Sequence, residues 1–154
     1  MTDITTLKDL CSKLVEEFSN TNSLKSMTNL VAKYNGKDWQ DYITFTNESY
    51  NRILIFQSAY FDAYLICWLT NQKTKIHDHP SQGCLMKVLD GKLEENMYKN
   101  NNDLTFISSN ILDTNEIGYR INNQILHQII AKSNSVSLHI YSPKGYQTNF
   151  YEKS

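Results

Sequence analysis

The segment SVSLHIYS, residues 135–142, is typical of a β-strand, because it contains Val136, Ile140 and Tyr141 and no glycine or proline. Similar short runs precede it from about residue 50, with clusters of Asn, Gly, Asp and Ser between them. These runs are NRILIFQS (51–58), AYLICWLT (63–70), CLMKVLD (84–90), KLEENMY (92–98), DLTFISS (103–109), EIGYRI (116–121) and QILHQII (124–130). The repeated pattern is typical of an antiparallel sandwich or barrel, and Asp90-Gly91 between two of the runs predicts a β-hairpin.

The first 45 residues carry a helical pattern instead. Ser23 is the expected N-cap of a second helix, Asn35-Gly36 its end, and a third short helix is predicted over residues 38–44. The apolar residues recur at helical spacing in two groups, Ile4, Leu7, Leu10, Leu14 and Phe18, and then Leu24, Met27, Leu30, Val31 and Tyr34. We therefore expect one mostly β domain over residues 1–154, with a small helical cap at 1–45 and a jelly-roll β-barrel at 46–154.

The composition argues against several classes of protein. A net charge of −1 and scattered basic residues argue against nucleic-acid binding. No apolar run is long enough to cross a membrane, and the polar N-terminus shows no signal peptide. The cysteines Cys11, Cys67 and Cys84 are odd in number and lack metal-ribbon spacing, which argues against a disulfide framework. We expect a cytoplasmic monomer with no nucleic-acid or membrane partner, and with Cys11 and Cys67 in its core.

All four histidines lie between residues 77 and 139, as His77, His79, His127 and His139. In His77-Asp78-His79, the two histidines would point to the same face of a strand and Asp78 to the other. Two imidazoles on one face can bind one metal ion, but the same pattern is also found for surface histidines at a strand end. The pair alone therefore leaves both interpretations open.

The spacing around this pair resembles the first motif of the cupin superfamily. Four residues separate His79 from Cys84, and six more separate Cys84 from Gly91. Most cupins have a metal-binding glutamate where this chain has Cys84, while Gly118 and His127 lie where a second cupin motif is expected. The resemblance implies a cupin-type barrel.

Residues from about 50 to 148 resemble one cupin subgroup, the cysteine dioxygenase family. The matching segments are Tyr50-Asn51-Arg52, Leu65–Trp68, Ile76–His79, Cys84–Gly91, Leu126-His127 and Ser135–Pro143. The resemblance implies one ferrous iron per chain, bound by His77, His79 and His127. It also implies that dioxygen oxidises free L-cysteine to cysteine sulfinic acid.

The same resemblance assigns roles to residues around the metal. Arg52 would bind the substrate carboxylate, with Tyr50 beside it on the same strand face. Ser137, His139 and Tyr141 would form a hydrogen-bonded relay that ends at the substrate. Cys84 and Tyr141 match the pair that a thioether joins in animal members of the family, so the cross-link can form here. The resemblance further predicts a cis Ser142–Pro143 peptide bond.

Three other functions remain open. A dioxygenase for another small thiol, such as 3-mercaptopropionate, is disfavoured because such relatives lack the arginine at Arg52 and usually have glycine at the Cys84 position. A cupin isomerase is disfavoured because it needs the glutamate that Cys84 replaces. The third is a non-catalytic metal-binding cupin. Animal members continue beyond the position of Ser154, so we expect a pocket that is more open or is closed by the N-terminal helices.

Overall fold

A computed structural model describes residues 2–153 of the chain. Its helical part contains α1 (Leu7–Thr21), α2 (Thr28–Lys33) and two 3₁₀ turns at Lys25–Met27 and Asp38–Tyr42. Thr6 caps α1, because its hydroxyl accepts a hydrogen bond from the Asp9 amide at 3.1 Å. No helix among the described residues is long and apolar enough to span a membrane.

Two details of the helical part differ from the prediction. Ile4 precedes α1 and forms an isolated parallel bridge with Tyr34. It matches the helical spacing of apolar residues although it is not part of the helix. The second predicted helix is split into a 3₁₀ turn and the short α2, and Ser23 lies one residue before the N-cap of that turn. Its hydroxyl nevertheless accepts a hydrogen bond from the Ser26 amide at 3.4 Å.

The rest of the described chain forms two five-stranded antiparallel sheets, as expected for a jelly roll. The strands are β1 (Asn51–Gln57), β2 (Asp62–Trp68), β3 (Ile76–His77), β4 (Gly83–Asp90), β5 (Lys92–Lys99), β6 (Phe106–Asp113), β7 (Ile117–Arg120), β8 (Ile125–Ala131), β9 (Ser135–Ser142) and β10 (Phe150–Tyr151). The first sheet has the order β1-β2-β9-β4-β7, and the second has the order β10-β3-β8-β5-β6. The sequence did not predict the short strand β10, and the strand expected at His77-Asp78-His79 is limited to Ile76–His77.

The hairpin predicted at Asp90-Gly91 is wrong. β4 pairs with β9 and β7, whereas β5 pairs with β8 and β6, so the chain crosses from one sheet to the other at Gly91. Gly91 has a φ of 97°, and a Cβ there would collide with the Ser135 side chain. Glycine is therefore needed at this corner for the same backbone reason as in a tight turn.

The helical part packs on the first sheet. Leu10, Leu14 and Phe18 of α1 share an apolar cluster with Leu65 and Leu138 of the sheet. Cys11 and Cys67 are both buried, as predicted. A second cluster, which includes Trp68, Met86 and Leu93, joins residues of both sheets, so the faces of the sheets are fixed on either side of the cavity described below.

Candidate metal centre

Three imidazoles converge on one point at the second sheet. His77 on β3 and His127 on β8 are direct cross-strand partners. The Nε2 atom of His127 lies 2.9 Å from Nε2 of His77 and 2.9 Å from Nε2 of His79. β3 ends at His77, so His79 reaches the cluster from a loop, where its amide donates to the Asn122 carbonyl at 3.0 Å. The structure therefore brings together the three predicted metal ligands, although His79 is not on a strand.

The hydrogen bonds behind His77 and His127 determine which nitrogens carry protons. His77 Nδ1 lies 2.7 Å from the Lys75 carbonyl, which can only accept. His127 Nδ1 lies 2.7 Å from Glu95 Oε2. Each Nδ1 therefore carries the proton, and in a neutral ring Nε2 then has a lone pair. Two lone pairs that face each other at 2.9 Å repel unless a cation lies between them.

His77 and His79 are kept neutral by their surroundings. Burial, and then the neighbouring imidazoles, lower the pKa of His77 to about 3 and the pKa of His79 to about 2. Metal ions bind the neutral form of imidazole, so these rings are ready to coordinate at neutral pH. The nitrogens that could bind a metal ion all lie within 4.8 Å of one another, so the three rings together would hold one ion.

Glu95 and Arg120 form an ion pair behind His127 that the sequence analysis missed. Glu95 is completely buried and accepts from Arg120 Nε at 2.8 Å, from Arg120 Nη2 and from His127. Burial alone would raise the pKa of Glu95, but these hydrogen bonds outweigh it and lower the pKa to about 2. The ionised carboxylate fixes the tautomer of His127 and makes its Nε2 a stronger donor to a metal.

Two signals in the sequence point to this pair. Glu95 alternates with Leu93 and Met97 on β5, so it is a charge on the inward face of a strand. Arg120 is one of only two arginines in the chain, and the other is Arg52. A buried carboxylate needs a partner, but only the structure shows that the partner comes from the opposite sheet.

A cavity of about 360 Å³ opens beside the histidines. Tyr50, Arg52, Cys84, His139 and Tyr141 line it together with the three ligands, whereas Ser137 lies behind His139. The lining residues all lie at or after Tyr50, and residues 145–148 and Phe150 contribute to the wall. The expectation that the N-terminal helices close the pocket is therefore wrong, because they pack on the first sheet away from the cavity.

Arg52 is held by aromatic rings and not by a carboxylate. Its guanidinium carbon lies 4.3 Å from the ring centre of Tyr64 and 5.5 Å from that of Tyr141. Among the ion pairs of residues 2–153, none involves Arg52. Tyr50 precedes β1 and stacks on Trp68, with ring centres 4.8 Å apart. The guanidinium is thus a positive group in the cavity without an anionic partner among the residues that the structure describes.

A row of hydrogen bonds runs from Trp68 to Tyr141. Trp68 Nε1 donates to Ser137 Oγ at 2.9 Å, and Ser137 Oγ lies 2.7 Å from His139 Nε2. His139 Nδ1 lies 3.4 Å from the Tyr141 hydroxyl. Burial, and then the charge of Arg52, lower the pKa of His139 well below its usual value. Burial and the neighbouring Cys84 raise the pKa of Tyr141, so both rings are neutral.

Cys84 and Tyr141 lie side by side on two neighbouring strands of the first sheet. They are register partners on β4 and β9, and Cys84 is a free, buried thiol. Burial raises the pKa of the Cys84 thiol to about 12, so the thiol is protonated at neutral pH. The Ser142–Pro143 peptide bond next to Tyr141 is cis, which confirms that prediction.

The whole chain is similar to proteins of one known family. The sequence matches the family model for cysteine dioxygenase type I over residues 2–154. It is 32% identical over 150 residues to cysteine dioxygenase type 1 of Bos taurus, covering 90% of this chain and 74% of that protein. The corresponding protein of Danio rerio is 29% identical over 150 residues, with 90% and 75% covered.

The fold has counterparts among solved structures. One is a conserved protein with a double-stranded β-helix domain from Klebsiella pneumoniae subsp. pneumoniae, which superposes with a TM-score of 0.61 at 16% identity. The match covers 74% of this chain and 94% of that chain, and at this identity it bears on the fold alone. The chain belongs to the cysteine dioxygenase type I family.

Proposed function

We propose that this protein is a ferrous-iron-dependent thiol dioxygenase that converts L-cysteine and dioxygen to cysteine sulfinic acid. The observation that carries the proposal is the distance of 2.9 Å between Nε2 of His77 and Nε2 of His127, because each ring turns its Nδ1 to an oxygen acceptor on the far side. Family membership supports cysteine as the substrate. A bound ferrous ion would supply adjacent positions at which a thiolate and dioxygen can react, and imidazole ligands suit that ion.

Arg52 would bind the carboxylate of the substrate. Its planar guanidinium can make two parallel hydrogen bonds to a carboxylate, and Tyr64 and Tyr141 hold it from the side without neutralising it. Because the cavity also contains the metal ligands, the bound amino acid would be oriented with its thiol towards the three histidines. Tyr50, stacked on Trp68, would fill the adjacent wall.

Tyr141 would act as a neutral hydrogen-bond donor to the substrate. If the Ser137 hydroxyl accepts from Trp68 and donates to His139 Nε2, then His139 Nδ1 carries the proton and points it at the Tyr141 oxygen. The Tyr141 hydrogen is then free to point into the cavity. The relay would thus fix the direction in which Tyr141 donates, without any change of charge.

The register of Cys84 with Tyr141 supports the thioether cross-link as part of the proposal. Its formation would remove one hydrogen from the Cys84 sulfur and one from the Tyr141 ring carbon as the new S–C bond forms. Dioxygen would take up the two electrons and the two protons. The cross-link would hold Tyr141 in the orientation that the relay favours.

Oxygen consumption by the iron-loaded protein tests the proposal. L-cysteine, 3-mercaptopropionate and cysteamine are supplied in turn, and sulfinate is measured alongside oxygen. We expect uptake with one sulfinate formed per dioxygen for L-cysteine, and a much weaker reaction with cysteamine, which has no carboxylate for Arg52. Absence of oxygen uptake with L-cysteine would contradict the proposal. A faster reaction with 3-mercaptopropionate would show that L-cysteine is not the preferred substrate.

A further inference from the structure

Asp78 lies between two metal ligands but points away from them. Its buried carboxylate, only 3% exposed, accepts four hydrogen bonds from one short segment of the chain. The donors are the Tyr146 hydroxyl at 2.6 Å, the Asn149 amide at 3.0 Å, the Asn149 side-chain nitrogen at 2.9 Å and the Tyr151 hydroxyl at 3.0 Å. Four donors on one carboxylate use nearly all of its acceptor positions, so Asp78 is fully hydrogen-bonded to this segment.

The same segment contacts the barrel at two further places. The Gly145 amide donates to Oδ2 of the buried Asp62 at 2.7 Å. At the other end, β10 pairs with β3, and Phe150 lies opposite His77. We call residues 145–151 the wall segment.

The wall segment closes one side of the cavity next to the metal ligands. Residues 145–148 and Phe150 line the cavity, and the ring of Phe150 lies 6.4 Å from the ring of His77. The segment has little regular structure beyond the two residues of β10, so side-chain contacts must hold it in place. Asp78 supplies more of these contacts than any other carboxylate that the structure describes.

We propose that Asp78 is a positioning residue that holds the wall segment over the metal centre and thereby limits the size of the thiol that the cavity admits. The tripeptide His77-Asp78-His79 then has two roles, because its histidines lie at the proposed metal position while its aspartate holds the wall segment. The part of this inference that concerns substrate size rests on the proposed function. The part that concerns the position of the segment does not.

Amide hydrogen exchange of the full chain, with and without iron, tests the structural part. The double variant Tyr146→Phe/Tyr151→Phe removes two of the four donors and leaves Asp78 intact, while Asp78→Ala removes the acceptor altogether. Since hydrogen bonds to a charged group are the stronger kind, we expect the Gly145 and Asn149 amides to exchange at least about tenfold faster in the double variant. The matched control Tyr42→Phe changes an exposed tyrosine of the helical part and should leave both rates unchanged.

Steady-state kinetics test the part that concerns substrate size. In the double variant we expect KM for L-cysteine to rise several-fold with a smaller change in kcat, and the ratio of kcat/KM for homocysteine to that for L-cysteine to increase. Unchanged exchange at Gly145 and Asn149 would overturn the role of Asp78, even if Asp78→Ala fails to fold. Faster exchange with unchanged KM and selectivity would overturn the size limit. If the wild type does not oxidise L-cysteine, the proposed function fails, while the exchange rates still decide the position of the wall.

Discussion

Glu95 receives a hydrogen bond from His127 on one side and two from Arg120 on the other. The other two histidines of the cluster are supported differently: His77 donates to the Lys75 carbonyl, and His79 Nδ1 is buried without a partner among the described residues. Of the three proposed ligands, His127 is therefore the one whose Nδ1 contacts a negatively charged group. This makes Glu95 the single residue whose change should most affect metal binding without touching the metal.

Glu95→Gln should lower the affinity for ferrous iron. Glutamine keeps the size of the side chain but removes the charge that His127 and Arg120 face, and loss of such a partner typically costs about 10–100-fold in metal affinity. Competition against a chelator of known affinity measures the change. Glu94→Gln, one residue earlier on β5 and partly exposed, is the matched control. Equal affinities in the two variants would show that Glu95 has no such role, and Glu95→Gln/Arg120→Gln serves if the single variant unfolds.

Arg52→Ala should weaken the binding of thiols that carry a carboxylate. Loss of a two-pronged contact with a charged group is expected to cost about 1.5–3 kcal/mol, which is a rise of about 10-fold to 150-fold in KM for L-cysteine. Kinetics with cysteamine provide the internal control, since it has no carboxylate. Arg52→Lys keeps the charge but not the planar fork, so it should restore only part of the affinity. An unchanged KM for L-cysteine in Arg52→Ala would remove Arg52 from the substrate site.

Strand β4 of the barrel carries one residue that contacts the helical part and another that lines the cavity. Cys84 at its start faces Tyr141, and Lys87 further along is 2% exposed. The Lys87 ammonium donates to the carbonyls of Val31 at 3.1 Å, Ala32 at 3.3 Å and Tyr34 at 2.6 Å. These carbonyls lie at the end of α2, where a positive charge is favourable. A buried lysine thus joins the two parts of the chain, and no acidic side chain of residues 2–153 pairs with it.

Lys87→Met should destabilise the fold. Methionine can fill the space of the lysine stem, but it cannot donate to the Tyr34 carbonyl, whereas the Val31 carbonyl keeps the hydrogen bond from the Tyr34 amide. We expect a loss of about 1–3 kcal/mol in the free energy of unfolding. Urea denaturation followed by circular dichroism measures it. Lys92→Met removes an exposed lysine that pairs with Asp113 at 3.4 Å, and should change stability by less than about 1 kcal/mol. Equal stabilities of the two variants would contradict the structural role of Lys87.

The strand pattern predicted most elements but not how they pair. Alternating apolar residues located β1, β2, β4, β5, β7, β8 and β9. β6 extends beyond its predicted run to Asp113, and a turn signal at Asp90-Gly91 marked a change of sheet. A φ above zero suits both a hairpin and a corner, so the local sequence cannot distinguish them. The two-residue strands β3 and β10 are too short to show any period, and pairing between distant residues forms them.

The whole molecule places residues from both sheets around one cavity. Arg52 comes from β1, Cys84 from β4, His139 and Tyr141 from β9, and the metal ligands from β3, β8 and the loop after β3. The order and spacing of the motifs were enough to select residues that the structure brings together at the histidine cluster and the cavity, whereas their roles stay predictions. Glu95 and Arg120 are 25 residues apart and meet only because the two sheets face each other, so no local pattern revealed their contact.

Mass spectrometry of the product formed under ¹⁸O₂ tests the central claim most directly, because a dioxygenase transfers both atoms of one dioxygen molecule to sulfur. The iron-loaded protein is incubated with L-cysteine in ordinary water, and cysteine sulfinic acid is isolated. We predict that the sulfinate carries two ¹⁸O atoms. A product with one or no ¹⁸O atom, or cystine in place of the sulfinate, would contradict the account.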